Sequence, residues 1–91
     1  MRKVYLDHAA TTSCRKEVID AMMPYLAEKF GNPSSIHAFG RETRNALDES
    51  RAKVASAIGA DPSEVIFTSG GTESDNTAIK GVALANQKKG N

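Results

Sequence analysis

Residues 65–68, Val65-Ile66-Phe67-Thr68, are a short apolar run that leads straight into Ser69-Gly70-Gly71. A run without polar alternation fits a β-strand buried on both faces. Such a strand needs neighbours, because its backbone N–H and C=O groups must be paired once water is excluded. Only one other segment has strand character, Val4-Tyr5-Leu6 near the N-terminus. A central strand with one candidate partner implies an incomplete sheet. The 91 residues therefore read as the start of a larger α/β protein.

Helical periodicity fills the space between and after these segments. From 15 to 30, Val18, Met22 and Leu26 fall on one face with Ile19 and Tyr25, and Pro24 is expected to kink or split the helix. Gly31-Asn32-Pro33 supplies the stop. A second helix is expected from Ile36 or Arg41 to Ile58, with Leu47, Val54 and Ile58 on one stripe and Gly59 as its C-terminal cap. Asp61-Pro62-Ser63-Glu64 reads as a turn, or as one helical turn with Asp61 as N-cap and Pro62 in the first helical position. A third helix is expected from 72 to about 86, with Ile79, Val82 and Ala83 inward and a polar tail behind it. The order is strand, helix, helix, strand, helix. Residues 1–14 form an N-terminal arm and loop, and residues 15–91 begin a larger domain.

Composition narrows the function. Twelve basic and eleven acidic residues leave a formal charge of +1, with no basic excess to favour a nucleic-acid or membrane-surface partner. No apolar run reaches the roughly 18–20 residues of a membrane span. The start of the chain lacks a secretory signal pattern, and the single cysteine allows no internal disulfide, so a cytoplasmic setting is expected. Asn32-Pro33-Ser34 is excluded as a glycosylation site by its proline. His8 and His37 are too few and too far apart for a zinc site, so no metal is expected. Cys14, beside Arg15 and Lys16, has neighbours that favour a thiolate, but a cytosolic thiol needs no catalytic role. Arg41, Arg44, Arg51 and Lys53 read as a solvated helix face with paired acids.

The chemistry concentrates at 65–76. Strand, Gly-rich turn and helix start follow one another, and the first helical N–H groups have no partner within the helix. Glycines at 70 and 71 let an anion approach the backbone, an arrangement suited to a phosphate, and Thr72 adds a hydroxyl. A ligand-free alternative exists: Thr72 and Asp75 can form a capping-box-like pair. The acidic Glu73 and Asp75 also oppose a bound anion. No Gly-Lys-Ser/Thr follows and no G-x-G-x-x-G is present, so neither nucleotide-binding fingerprint applies.

Three segments in order sharpen this reading: Tyr5-Leu6-Asp7-His8-Ala9-Ala10-Thr11-Thr12, then Phe30-Gly31-Asn32-Pro33-Ser34-Ser35-Ile36-His37 with Gly40-Arg41, then Ile66 through Asn76. As a set they resemble the N-terminal part of the cysteine desulfurases, class V aminotransferase-like enzymes of fold-type I that use pyridoxal 5'-phosphate. The resemblance spans nearly the whole chain. It implies removal of sulfur from L-cysteine, giving L-alanine and a persulfide on an enzyme cysteine. The sulfur then passes to a sulfur-acceptor or scaffold protein, as in iron–sulfur cluster assembly. It implies a homodimer, and it assigns the cofactor phosphate to Gly71 and Thr72. At the level of regions, it sets 7–12 near the active-site mouth and 31–37 near the dimer interface and active site.

This chain departs from the family at His8, where asparagine is frequent, at Ser13, where proline is frequent, and at Gly71, where alanine is also common. Family members are several times longer. The lysine that carries the cofactor, the ring-stacking histidine, the aspartate facing the pyridine nitrogen and the persulfide cysteine have no counterpart among these residues. Lys80 and Cys14 match none of them, so no catalytic residue is assigned. Two other readings share the same phosphate turn or need none: another class V enzyme, such as a selenocysteine lyase or an aminotransferase, and a non-catalytic partner-binding fragment.

Overall fold

The computed structural model describes residues 1–90; Asn91, the end of the polar tail, lies outside them. Its elements are α1 (Lys16–Ala27), α2 (Ala38–Ile58), a 3₁₀ turn (Pro62–Glu64) and α3 (Gly71–Ala85). The chain divides into two units, Met1–Glu49 and Ser50–Asn91, with the boundary inside α2.

In the first unit, α1 runs unbroken through Pro24 and is neither split nor ended there. The proline removes the donor that would serve the Asp20 carbonyl, and Asp20 is exposed, so water can replace it. The helix is shorter than its periodicity predicts. The Glu28 and Lys29 N–H groups both donate to the Pro24 carbonyl, at 3.0 and 2.7 Å, and close the last turn. Residues 31–37 then form a tight loop. Ser34 N–H donates to Asn32 Oδ1 (2.9 Å) and Ser35 N–H to the Asn32 carbonyl (2.9 Å). His37 starts α2: its carbonyl accepts from Arg41 N–H (3.0 Å) and its Nδ1 from Gly40 N–H (3.2 Å). Gly40 and Thr43 are buried, with Thr43 Oγ1 donating to the Gly40 carbonyl (3.0 Å).

In the second unit, α2 ends as its sequence predicts. Gly59 adopts φ +68°, the left-handed conformation glycine tolerates. Ala60 N–H donates to the Ala55 carbonyl at 2.8 Å, and Gly59 N–H lies 3.4 Å from the Ser56 carbonyl, the paired bonds of a Schellman cap. Asp61 and Glu64 close the 3₁₀ turn reciprocally. Asp61 Oδ1 accepts from Ser63 N–H (3.0 Å), while Glu64 Oε2 accepts from Asp61 N–H (2.7 Å). The bonds from the Ser63 N–H and hydroxyl hold the Asp61 carboxyl below its ordinary range.

The predicted strands do not form. No strand is present among the described residues, so the strand–helix–helix–strand–helix order is corrected to three helices with extended connections. Val65 has extended dihedrals (φ −103°, ψ 124°), and the rest of 65–68 has no regular structure. A strand is defined by its ladder, and no ladder is available here. The inward face expected for α3 is also corrected. Ile79 and Val82 are 71% and 64% exposed, Ala83 is exposed too, and the large apolar side chains of α1 are 42–70% exposed. Ala55 is the one buried hydrophobic side chain among the described residues. Burial of apolar area is the main favourable term in folding, and here it is largely unspent.

The isolated chain is accordingly expected to lack a cooperative fold. Broad, poorly dispersed amide resonances and a shallow thermal transition are the expected result. A sharp melt of a dilute monomer with dispersed amide signals would contradict it.

Candidate functional site

The turn between residues 68 and 74 and the segment entering it are held by three side chains, Arg51, Thr68 and Glu73. Arg51, on α2, sends its Nε–H to the Val65 carbonyl (3.2 Å) and sets its guanidinium 5.2 Å from the centre of the Phe67 ring. Arg51 is therefore not simply a solvated charge, as its sequence context implied, but a strut for the segment entering the turn. Thr68 Oγ1 donates to the Gly70 carbonyl (3.2 Å) and accepts from the Ser74 hydroxyl (2.5 Å). Glu73 reaches back over the turn, its Oε2 accepting from Ser69 Oγ (2.6 Å) and Ser69 N–H (3.3 Å). The Ser69 hydroxyl, and secondarily its N–H, holds the Glu73 carboxyl below its ordinary range, so it is ionised at neutral pH.

The helix begins one residue earlier than expected. Gly70 is the N-cap, and no side chain caps it. The Thr72–Asp75 pair does not form, because Thr72 lies inside the first turn, not at its threshold. Among the described residues, the N–H groups of Gly71, Thr72 and Glu73 and the Thr72 hydroxyl have no acceptor. The first bonded amide of this turn is Ser74 N–H, which donates to the Gly70 carbonyl (3.1 Å). A Cβ built at Gly70 or Gly71 meets nothing within 4 Å. Four donors thus converge on open space at the positive end of a helix of fifteen residues. That donor set fits a phosphate monoester dianion: it is rich in N–H groups and accessible to a bulky oxyanion. Thr68 and Ser74 of the turn also line a cavity of about 250 Å³, together with Glu64, Ile66, Thr77 and Ala78.

The remaining candidates are separate from this turn in the sequence and in their contacts. The His8 ring lies tilted, 5.0 Å from the ring of Tyr5, whose hydroxyl donates to the Asp7 carbonyl (2.9 Å). His37 caps α2, and Cys14 is exposed. Lys80 is exposed on α3. Among the described residues, no group of His, Cys, Asp and Glu is arranged to hold a metal ion, and no helix is long and apolar enough to cross a membrane. Sequence reasoning missed Arg51, Glu73 and the capping role of His37. The Asp61-Pro62-Ser63-Glu64 capping box was open to recognition from its spacing, as was a Ser69–Glu73 contact four residues apart.

These features have a family. Residues 4–91 match the description "Aminotransferase class-V", and the chain belongs to that family. Its relatives include proteins named cysteine desulfurase IscS. One, from Dictyoglomus turgidum, is 70% identical over 98% of this chain. Another, from Methanosarcina thermophila, is 56% identical over 98% of it. A putative cysteine desulfurase IscS 1 from Bacillus subtilis is 56% identical over 99%. The chain spans 22–24% of the length of these three relatives.

Two glycines close to this architecture should respond oppositely to alanine in the full-length fold. Gly71→Ala adds a methyl group into open space within a helix, so thermal stability should hold or rise by up to about 1 kcal/mol. Gly40→Ala sets a methyl group against the Ser35 carbonyl and 2.7 Å from the Asn32 carbonyl oxygen. It should cost about 3 kcal/mol, because backbone cannot swing aside as a side chain can. Paired melting curves check both, and a neutral Gly40→Ala would refute the tight packing of the 31–37 loop.

Proposed function

We propose that these residues form the phosphate-binding portion of a pyridoxal-phosphate-dependent cysteine desulfurase. The observation that carries this reading is the set of free donors at the start of α3, Gly71, Thr72 and Glu73 N–H and Thr72 Oγ1, in a chain 70% identical to a protein of that name. In the complete enzyme, L-cysteine is the substrate, and L-alanine and an enzyme persulfide are the products. A sulfur-acceptor or scaffold protein receives the sulfur for iron–sulfur cluster assembly, and the enzyme works as a cytoplasmic homodimer. The 65–68 segment then belongs to the sheet of a fold-type I domain. Residues 1–14 act as its arm and residues 15–91 as its beginning.

When bound, the pyridoxal ring supplies the electron sink for bond cleavage next to the amino group. The contribution of this chain is to bind and orient. Gly71 and Thr72 offer backbone N–H groups along the helix axis, and the helix dipole favours the dianion. The Thr72 hydroxyl would add a further donor. A phosphate fixed in this way anchors one end of the cofactor, leaving its ring to be aligned by residues elsewhere in the enzyme.

The test is a titration of pyridoxal phosphate into the apo form of the full-length enzyme. Charge-assisted hydrogen bonds are worth roughly 1.5–3 kcal/mol each, so Thr72→Ala should weaken binding by about ten- to a hundredfold. Thr72→Ser should keep most of the affinity. Equal affinity in wild type and Thr72→Ala would remove the hydroxyl from the site. The 91 residues alone should release neither sulfide nor alanine from L-cysteine with added cofactor and reductant, and should not attach the cofactor at Lys80. Turnover clearly above a protein-free control would overturn that expectation.

A further inference from the structure

We propose that Glu73 is a positioning residue whose carboxylate clasps Ser69 and thereby fixes the N–H groups of Gly71, Thr72 and Glu73 in the geometry a phosphate needs. The proposal rests on the phosphate-binding reading of this turn. Its starting point is a mismatch. An ionised carboxylate in the first turn of a helix ordinarily neutralises the orphan donors of that turn. Glu73 does not: its Oε2 is bonded to Ser69 Oγ at 2.6 Å and Ser69 N–H at 3.3 Å, one residue before the N-cap Gly70. The three N–H groups that follow keep no acceptor among the described residues.

The consequence is mechanical. Gly70 and Gly71 have no side chains, and a Cβ at either would touch nothing within 4 Å, so packing does not restrain them. Two adjacent glycines carry the largest backbone entropy of any pair. The turn is held instead at its two flanks. Thr68 Oγ1 ties to Ser74 Oγ and the Gly70 carbonyl on one side, and Ser69 ties to Glu73 on the other. Both ties cross the glycine pair. Pre-organised donors bind an anion without first losing that entropy. Against this stands a Coulomb penalty, since the carboxylate belongs to the same first turn that would hold a phosphate of like charge. The clasp and the penalty can be separated, because glutamine keeps the acceptor oxygen and removes the charge.

The experiment uses full-length enzyme in wild-type, Glu73→Ala, Glu73→Gln and Glu73→Ala/Ser69→Ala forms, with two readouts. The first is the dissociation constant of pyridoxal phosphate added to apo enzyme. Glu73→Ala should bind about tenfold more weakly, and Glu73→Gln should match wild type or bind more tightly. The double variant Glu73→Ala/Ser69→Ala should be no weaker than Glu73→Ala, because both remove one contact. The second readout is amide hydrogen exchange at 69–72 in the apo enzyme, which should be about tenfold faster in Glu73→Ala and near wild type in Glu73→Gln. If alanine and glutamine both tighten binding, Glu73 acts only as a repelling charge, and the clasp is wrong. If both weaken it equally, the charge and not the acceptor matters, and the clasp is again wrong. If wild-type enzyme takes up no pyridoxal phosphate, the phosphate reading fails by itself. In that case the exchange rates alone decide the clasp, and unchanged rates in Glu73→Ala overturn it.

Discussion

The contact between Arg51 and the segment ahead of the glycine turn is the point on which the second unit depends. An extended backbone without a ladder has no hydrogen bonds of its own to fix it. Arg51 supplies one to the Val65 carbonyl and a ring contact with Phe67. A hydrogen bond from a charged donor contributes roughly 1.5–3 kcal/mol, and a cation–π contact about 0.5–1 kcal/mol at an exposed site. Arginine suits the role because its planar fork can serve a carbonyl and a ring face at once. The helix that carries Arg51 is held in turn by the Gly59 cap, and the 3₁₀ turn at Pro62–Glu64 sets where the chain comes back toward it. The entry to α3 is thus placed by local contacts within about twenty residues of sequence, before any sheet is considered.

The first unit solves a similar problem with close backbone packing. A Cβ at Gly31 would strike the Phe39 backbone, and one at Gly40 would strike the backbone at 32 and 35. The 31–37 loop therefore rests directly on the first turn of α2, and His37 closes that turn through Nδ1. An imidazole accepts at Nδ1 only in the neutral form with the proton on Nε2, so the bond specifies a tautomer as well as a position. Arg41 Nη1 donates to the Ile36 carbonyl at 2.7 Å, beside the cap, and completes the lock.

What the sequence disclosed, and what it withheld, follows from the range of each interaction. The three helices, the Gly59 cap, the Asp61-Pro62 turn and the glycine pair at a helix start depend on neighbours within four or five residues, and all were readable. Orphan donors at this helix start follow from helix geometry, and the resemblance to the cysteine desulfurases assigned the phosphate to Gly71 and Thr72 among them. No ladder forms at 65–68 because an apolar β-branched run reports a preference for burial, whereas a strand also requires partners, and none lies among the described residues. The inward face of α3 failed similarly: Ile79 and Val82 mark a stripe, but a stripe faces inward only where something covers it. Arg51 was hidden because its partner lies fourteen residues away on another element. Glu73 was misjudged because charge counting sees a carboxylate beside an anion site, and not the serine that already engages it.

The free donors at α3 finally connect binding to stability. Orphan N–H groups at an exposed helix start are solvated by water, so leaving them without a capping side chain costs about 1 kcal/mol relative to a capped helix. The Thr68–Ser74 and Ser69–Glu73 ties recover order in the turn without occupying those donors. An anion that then binds adds stability of RT ln(1 + [L]/Kd), about 2.7 kcal/mol when its concentration is a hundred times Kd. That exceeds the missing cap. A helix start with this design is weaker than a capped one when empty and stronger when filled. Had the Thr72–Asp75 pair formed, the donors would be satisfied in the absence of ligand, and an incoming phosphate would have to displace a bonded carboxylate. Keeping Glu73 on Ser69 gives the turn its shape and leaves the N–H groups to the ligand.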